Sequence, residues 1–152
     1  MNLIQCVAKV PSHWKSQSRI FGEACEFWVE ANVPCFKCGG HLQKLKANEK
    51  SIDHRCQNCG EKYQVKTGTK NIINKSKKIK ITGAEYKTTL SKIGDWNLIV
   101  MQYDPKSCSI LEHKFVDKKY ITSNCIIPRK PLGPNARRAG WQGCYMIFDN
   151  FS

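Results

Sequence analysis

The sequence is short of acidic residues. It contains 25 lysines and arginines but only 12 aspartates and glutamates, which gives a net charge of +13. Such an excess of positive charge favours polyanionic partners, nucleic acid first and anionic membrane surfaces second. The alternative is a basic protein whose lysines form no more than a solvated face. We consider it weaker because the charge accompanies polar turns and a cysteine pattern typical of a metal site.

Long hydrophobic segments are also missing. No apolar run approaches the length that is needed to span a bilayer, and residues 1–11 lack the apolar core and cleavage site of a signal peptide. We therefore expect a cytoplasmic protein whose cysteines are reduced or bound to metal. No internal repeat or second domain is evident, so residues 1–152 are expected to form a single domain.

Cysteine is abundant, and four of the nine cysteines form two Cys-x-x-Cys pairs. Cys35 and Cys38 are followed by two glycines, and Cys56 and Cys59 by one glycine, with residues 39–55 between the pairs. This spacing is typical of a zinc knuckle, which we predict at about 35–59. Four thiolates leave zinc no open position for water, so its role is predicted to be structural.

Two alternatives to a site with four cysteine ligands can be considered. A thioredoxin-like redox motif would be single and would lie in a βαβ unit, so it is disfavoured. His41 and His54 lie close enough in sequence to replace a cysteine, but two surface histidines are the simpler interpretation.

Hydrophobic periodicity predicts a mixed α/β chain. Apolar residues recur at helical spacing over 18–31, and a second helix is predicted over 83–93. Residues 128–143 are predicted to be a loop. Strands are predicted over 50–55, 61–67, 96–103, 109–116, 119–127 and 145–148.

Asp53, Gln64 and Lys66 form the pattern D…(D/E/Q)-x-K, with one member before and two after the second cysteine pair. Alternation along a strand places Gln64 and Lys66 on one face. A carboxylate and an amide oxygen can hold Mg²⁺, and a lysine beside them can orient water or stabilise charge in phosphodiester hydrolysis. On spacing alone, the polar face of an exposed hairpin is the simpler interpretation.

The stretch IPRKPLGPNARRAGWQGC, residues 127–144, adds a longer and more specific signal. Together with the two cysteine pairs, the helix carrying Trp28 and the position of Asp53, it resembles the DpnI-like methyl-directed restriction endonucleases. These belong to the PD-(D/E)xK nuclease superfamily. The resemblance implies a restriction-endonuclease-like fold, in which helices flank a mixed central sheet and a four-cysteine zinc knuckle is inserted.

The resemblance also implies an activity: Mg²⁺-dependent type II cleavage of double-stranded DNA at GATC when the adenine carries an N6-methyl group. By position, Asp53 and Gln64 would be magnesium ligands, Lys66 the catalytic lysine, and Cys35, Cys38, Cys56 and Cys59 the ligands of a structural zinc.

The chain departs from the family pattern in two ways. The second acidic residue is replaced by Gln64, which can ligate Mg²⁺ but carries no charge, and Glu61 is a candidate for the missing charge. The resemblance also implies a winged-helix domain after the catalytic one, which residues 1–152 do not include, so we expect either a single-domain relative or a truncated product. The alternative function is a catalytically weak or inactive methyl-adenine DNA-binding module. A basic zinc-ribbon RNA binder would require the C-terminal resemblance to be accidental.

The glycine-rich stretch that begins at Pro128 supplies the candidate DNA contacts. Arginine and lysine can bridge phosphates or bind guanine, and an exposed tryptophan offers an apolar face to a methyl group. We predict DNA contacts by Arg129, Lys130, Arg137, Arg138 and Trp141. A core role for the tryptophan is the alternative.

Overall fold

The structure, a computed structural model, describes residues 2–46, 52–74, 78–129 and 142–149. Its helices are α1 (Ile4–Val7), α2 (Gln17–Asn32) and α3 (Tyr86–Ser91). Its strands are β1 (Leu42–Lys44), β2 (His54–Cys56), β3 (Lys62–Gly68), β4 (Ile79–Glu85), β5 (Asn97–Asp104), β6 (Ser109–Val116), β7 (Ile126–Pro128) and β8 (Gly143–Phe148).

The strands form two sheets. The first is mixed and has the order β1-β2-β3-β5-β6, with β3 and β5 parallel and the other neighbours antiparallel. The second is antiparallel and has the order β4-β8-β7. The mixed α/β architecture predicted from the sequence is therefore confirmed, and the described part of the chain adds a second sheet that the periodicity did not predict.

Strand β5 lies between β3 and β6, and both of its faces are apolar. Ile99 and Met101 join the core that contains α1 and α2, whereas Leu98 and Val100 join the core that contains the second sheet. All four side chains are fully buried. A near-continuous apolar run is what a strand covered on both faces requires.

Helix α2 covers one face of the mixed sheet and closely matches the predicted 18–31. It begins after Ser16, whose hydroxyl accepts a hydrogen bond from the Arg19 amide at 3.4 Å, and it buries Phe21, Ala24, Cys25, Trp28 and Val29. The cap satisfies one of the free amides at the start of the helix. The apolar side of the helix fixes which residues face the sheet.

Two predicted elements were wrong. Residues 79–85 extend as β4, so only α3 remains of the predicted helix 83–93. The predicted strand 119–127 contains two 3₁₀ turns, Lys118–Tyr120 and Ser123–Cys125, before the short strand β7. The first part of the predicted strand 50–55 lies outside the described residues.

Within the described residues, no helix is both long enough and apolar enough to cross a membrane.

Candidate metal centre and active site

The two Cys-x-x-Cys pairs come together as one cluster. The sulfur atoms of Cys35, Cys38, Cys56 and Cys59 all lie within 4.8 Å of one another. The Sγ atoms of Cys35 and Cys59 are 3.7 Å apart, and those of Cys38 and Cys56 are 3.4 Å apart. Tetrahedral zinc with Zn–S bonds of about 2.3 Å holds its sulfurs about 3.8 Å apart. The donor set and its dimensions therefore suit a zinc ion.

The two loops of the knuckle repeat one backbone geometry. The amide two residues after the first cysteine points at that cysteine's sulfur: Lys37 N lies 3.4 Å from Cys35 Sγ, and Asn58 N lies 3.4 Å from Cys56 Sγ. Gly39 and Gly60 then turn the chain with φ angles of 76° and 78°. Amides directed at sulfur stabilise thiolates, and glycine adopts the turn without steric cost.

Tyr63 joins this cluster to strand β3. Its buried hydroxyl lies 3.0 Å from Cys35 Sγ and accepts a hydrogen bond from the Phe36 amide at 3.1 Å. Since Tyr63 immediately precedes Gln64, the position of the knuckle and the start of the candidate catalytic strand are mechanically linked.

Asp53 is held by backbone bonds immediately before β2 begins. Its amide donates to the Tyr63 carbonyl oxygen at 2.9 Å, and its carbonyl oxygen accepts from the Leu45 amide at 2.8 Å. Its carboxylate accepts a hydrogen bond from the Val65 amide at 2.7 Å. Both the backbone and the side chain of Asp53 are thus fixed against the strand that carries Gln64 and Lys66.

Gln64 and Lys66 lie on the opposite face of β3 from the buried Tyr63 and Val65. They are paired in register with Leu98 and Val100 of β5, whose side chains face the second sheet. The alternation predicted from the sequence is confirmed.

Burial sets the electrostatics of Asp53 and Lys66. It raises the pKa of the Asp53 carboxyl, an effect that the Val65 amide and the Lys66 charge oppose. It lowers the pKa of the Lys66 ammonium, and the Asp53 charge opposes that shift. A lysine with a lowered pKa beside a shielded carboxylate is typical of a functional site.

Glu26 of α2 also faces this site, although no pattern in the sequence singled it out. Burial, the Asp53 and Glu23 charges and a hydrogen bond with Asp53 together raise the pKa of the Glu26 carboxyl to about 8. The sequence shows only that Glu26 lies beside the apolar stripe of an amphipathic helix. That position does not reveal which residues of the underlying sheet the side chain meets.

Glu61, the other candidate for extra charge, is engaged elsewhere. Its carboxylate accepts from Asn97 Nδ2 at 3.2 Å and pairs with Lys118 Nζ at 3.1 Å. His54 also differs from expectation, because it is fully buried rather than at the surface, and its Nε2 donates to the Glu26 carbonyl oxygen at 2.8 Å.

Of the predicted DNA contacts, only Arg129 lies within the described residues. Its guanidinium stacks over the Tyr145 ring at 4.9 Å, and Lys80 Nζ lies 4.7 Å from the centre of the same ring. Two cations therefore share one aromatic ring on the second sheet. Lys130, Arg137, Arg138 and Trp141 lie outside the described residues.

Comparison with known families gives one match that covers almost the entire sequence. The family described as "DpnI: Dam-replacing family" matches residues 1–151.

Proposed function

This chain belongs to the DpnI, Dam-replacing family, and from that membership we propose that it is a Mg²⁺-dependent type II restriction endonuclease. Its proposed substrate is double-stranded DNA that contains GATC with N6-methylated adenine. The family itself implies a restriction-type nuclease connected with DNA methylation. The requirement for Mg²⁺ and the recognition of GATC are our own proposals.

The observation that carries the proposal is the position of Asp53 beside β3. Its carboxylate is bonded to the Val65 amide, between the two residues whose side chains complete the pattern, Gln64 and Lys66. A five-stranded mixed sheet with α2 on one face supports assignment to the restriction-endonuclease-like fold. We propose that Asp53, Gln64 and Lys66 are its catalytic residues.

The donor chemistry suits magnesium. Asp53 offers a carboxylate oxygen and Gln64 an amide oxygen, and both are the hard oxygen ligands that Mg²⁺ prefers. A divalent cation held there would supply charge neutralisation at the scissile phosphate and activation of water. Asp53 would hold the site in place through its bond to Val65, and the Lys66 ammonium would orient the attacking water or stabilise the developing negative charge.

DNA binding is proposed to use the second sheet and the segment that follows β7. Arg129 and Lys80 present positive charge around Tyr145, which suits contact with phosphates. We propose that Lys130, Arg137 and Arg138 extend this contact and that Trp141 senses the N6-methyl group.

The test compares one plasmid prepared from a strain that methylates GATC with the same plasmid from a strain that does not. With the zinc-loaded protein and Mg²⁺, we expect discrete fragments from the methylated plasmid only. Cleavage of both plasmids would overturn the methyl requirement. No cleavage of either plasmid, even with Mn²⁺, would overturn the nuclease.

The second candidate function is a methyl-adenine DNA-binding module without catalysis, which the neutral side chain at Gln64 favours. A gel shift on the same two DNAs separates the candidates. Binding of methylated DNA without cleavage by the unaltered protein would establish the module, whereas cleavage that is lost in Lys66→Ala would establish the enzyme.

A further inference from the structure

Glu26 is fixed against the candidate active site by two consecutive residues. His54 Nε2 donates to the Glu26 carbonyl oxygen at 2.8 Å, and the preceding residue, Asp53, meets the Glu26 carboxyl. The first contact anchors the helix backbone to β2, and the second brings a helix carboxyl to a strand carboxyl.

Two shielded carboxyl groups in contact repel each other unless a proton or a cation lies between them. The Glu26 carboxyl is within hydrogen-bond reach of the Asp53 carboxyl, and the Val65 amide holds the Asp53 carboxylate in place at 2.7 Å. A divalent cation can stabilise such a pair, because carboxylates of this kind are its preferred ligands.

The neighbouring lysine does not fill this role. Lys44 Nζ lies 2.7 Å from Glu23 Oε1 and 4.0 Å from Glu26 Oε1, so its shorter ion pair is with Glu23. The Glu26 carboxyl also has a hydrogen bond with Asp53.

Lys66 gives an independent indication that this site takes an anionic ligand. Its side chain is largely buried, and its ammonium interacts electrostatically with Asp53, Cys144 and Glu26. Among the described residues, no hydrogen bond or ion pair satisfies that ammonium. A shielded cation with no direct partner beside two carboxyl groups is the arrangement expected where a phosphate and its metal ion bind.

We propose that Glu26 is a ligand of the catalytic divalent cation and supplies the negative charge that Gln64 lacks. The inference rests on the proposed function, because the cation site is the one assigned to Asp53 and Gln64. It places the second carboxylate on helix α2 rather than on the hairpin formed by β2 and β3. Glu61 is excluded from that role by its bonds to Asn97 and Lys118.

Direct metal binding tests the proposal without any need for catalysis. Mn²⁺ is titrated into zinc-loaded protein by calorimetry and by electron paramagnetic resonance, with Asp53→Asn as the reference for loss of the site. We expect Glu26→Gln to weaken Mn²⁺ binding by at least about tenfold.

Two matched variants remove the same charge elsewhere. Glu30 lies one turn further along α2, where its carboxylate accepts from the Lys44 amide at 2.8 Å, and Glu61 lies on the hairpin. Glu30→Gln and Glu61→Gln are expected to bind Mn²⁺ like the unaltered protein. A similar loss of Mn²⁺ affinity in all three variants would show that the effect comes from net charge alone, and it would overturn the proposal.

The substitution Gln64→Glu tests whether Glu26 supplies the negative charge that Gln64 lacks. In the Glu26→Gln background, this substitution is expected to restore most of the lost affinity, since it returns one carboxylate to the site. Failure to restore affinity would overturn the claim that Glu26 replaces the charge absent from Gln64.

Thermal unfolding of each variant precedes the titration. If Glu26→Gln does not fold, Glu26→Asp keeps the charge but withdraws the carboxylate by one methylene, and it is also expected to weaken Mn²⁺ binding. Unchanged affinity in the folded variant would overturn the inference. Because these readouts are independent of cleavage, an inactive protein that binds Mn²⁺ through Glu26 would contradict only the proposed nuclease.

Discussion

Residues on β3 have either a structural or a proposed catalytic role, according to the face of the strand on which they lie. Tyr63 and Val65 are buried towards α2, and Tyr63 also reaches the cysteine cluster. Gln64 and Lys66 face the other way, towards the second sheet. A substitution on the first face is therefore expected to affect the cysteine cluster, and one on the second face is expected to affect catalysis. The following substitutions separate these two effects.

Lys66→Ala removes the ammonium that we assign to catalysis. We expect cleavage to fall by at least about 100-fold, because a general acid–base or charge-stabilising side chain contributes about that much or more. Affinity for methylated GATC DNA, measured by fluorescence anisotropy, should change little. Lys70→Ala, which alters an exposed lysine beyond the end of β3, serves as the control. Normal cleavage by Lys66→Ala would remove Lys66 from the catalytic set.

Tyr63→Phe removes one hydroxyl from the edge of the cysteine cluster and keeps the buried ring. Loss of the contact with Cys35 Sγ should weaken zinc binding by about 10–100-fold, the usual effect of removing a group that orients a metal ligand. Competition with a chromophoric chelator measures the change. Tyr103→Phe makes the same change in another buried tyrosine, which stacks on Phe21, and should leave zinc affinity unaltered. Equal affinities in the two variants would show that the Tyr63 hydroxyl does not support the metal centre.

Among the elements, the knuckle depends on close contact between its two loops. A Cβ atom on Gly40 would lie 2.8 Å from Asn58 Cβ and 3.0 Å from Cys56 Sγ, both closer than real Cβ atoms ordinarily approach such neighbours. One loop can therefore pack on the other only if this position has no side chain. Helix α2 contains a contrasting glycine, Gly22, where a Cβ would make only an ordinary contact of 3.9 Å with Thr67 Oγ1.

Gly40→Ala is expected to separate the two loops, with a destabilisation of about 1–3 kcal/mol typical of overpacking, and to weaken zinc binding. Gly22→Ala is the matched control and should stabilise α2 by about 0.5–1 kcal/mol because alanine favours helix more than glycine does. Chemical denaturation of the zinc-loaded variants measures both effects. A stable Gly40→Ala protein with unaltered zinc affinity would contradict the importance of this close approach.

The molecule as a whole carries a charge of +13, so its affinity for DNA should depend strongly on salt. If about four phosphates are neutralised, a fourfold rise in salt should weaken binding about 100-fold through counterion release. The stacked Arg129 and Lys80 around Tyr145 are the described side chains that we assign to this contact.

Arg129→Ala should lower the slope of log affinity against log salt by about 1, the value of one phosphate contact. Arg19→Ala is a suitable control because Arg19 also stacks on an aromatic ring, that of Trp14, at 3.7 Å, but belongs to α2 on the other side of the mixed sheet. Anisotropy titrations over a range of salt concentrations give the slopes. The same slope for Arg129→Ala and the unaltered protein would show that Arg129 does not contact a DNA phosphate.

The sequence by itself determined the features that depend on near neighbours. Helix α2 follows from apolar spacing, and the knuckle follows from two cysteine pairs with trailing glycines that fold locally into one cluster. The opposite faces of Gln64 and Lys66 and of Tyr63 and Val65 follow from the alternation of any strand. The prediction from local sequence was wrong at 119–127, where 3₁₀ turns replace most of the expected strand. The apolar residues of this segment did not reveal whether a neighbouring strand was available for pairing.

Only the tertiary structure decided which distant groups meet. The Glu26 carboxyl contacts Asp53 because α2 packs across the mixed sheet, a relation between residues 26 and 53 that no spacing rule encodes. The same packing buries His54, and the pairing of β3 with β5 aligns Lys66 with Val100 beneath the second sheet. Side-chain periodicity is a property of one element, whereas burial, pKa shifts and the composition of a site arise from the elements that pack against it.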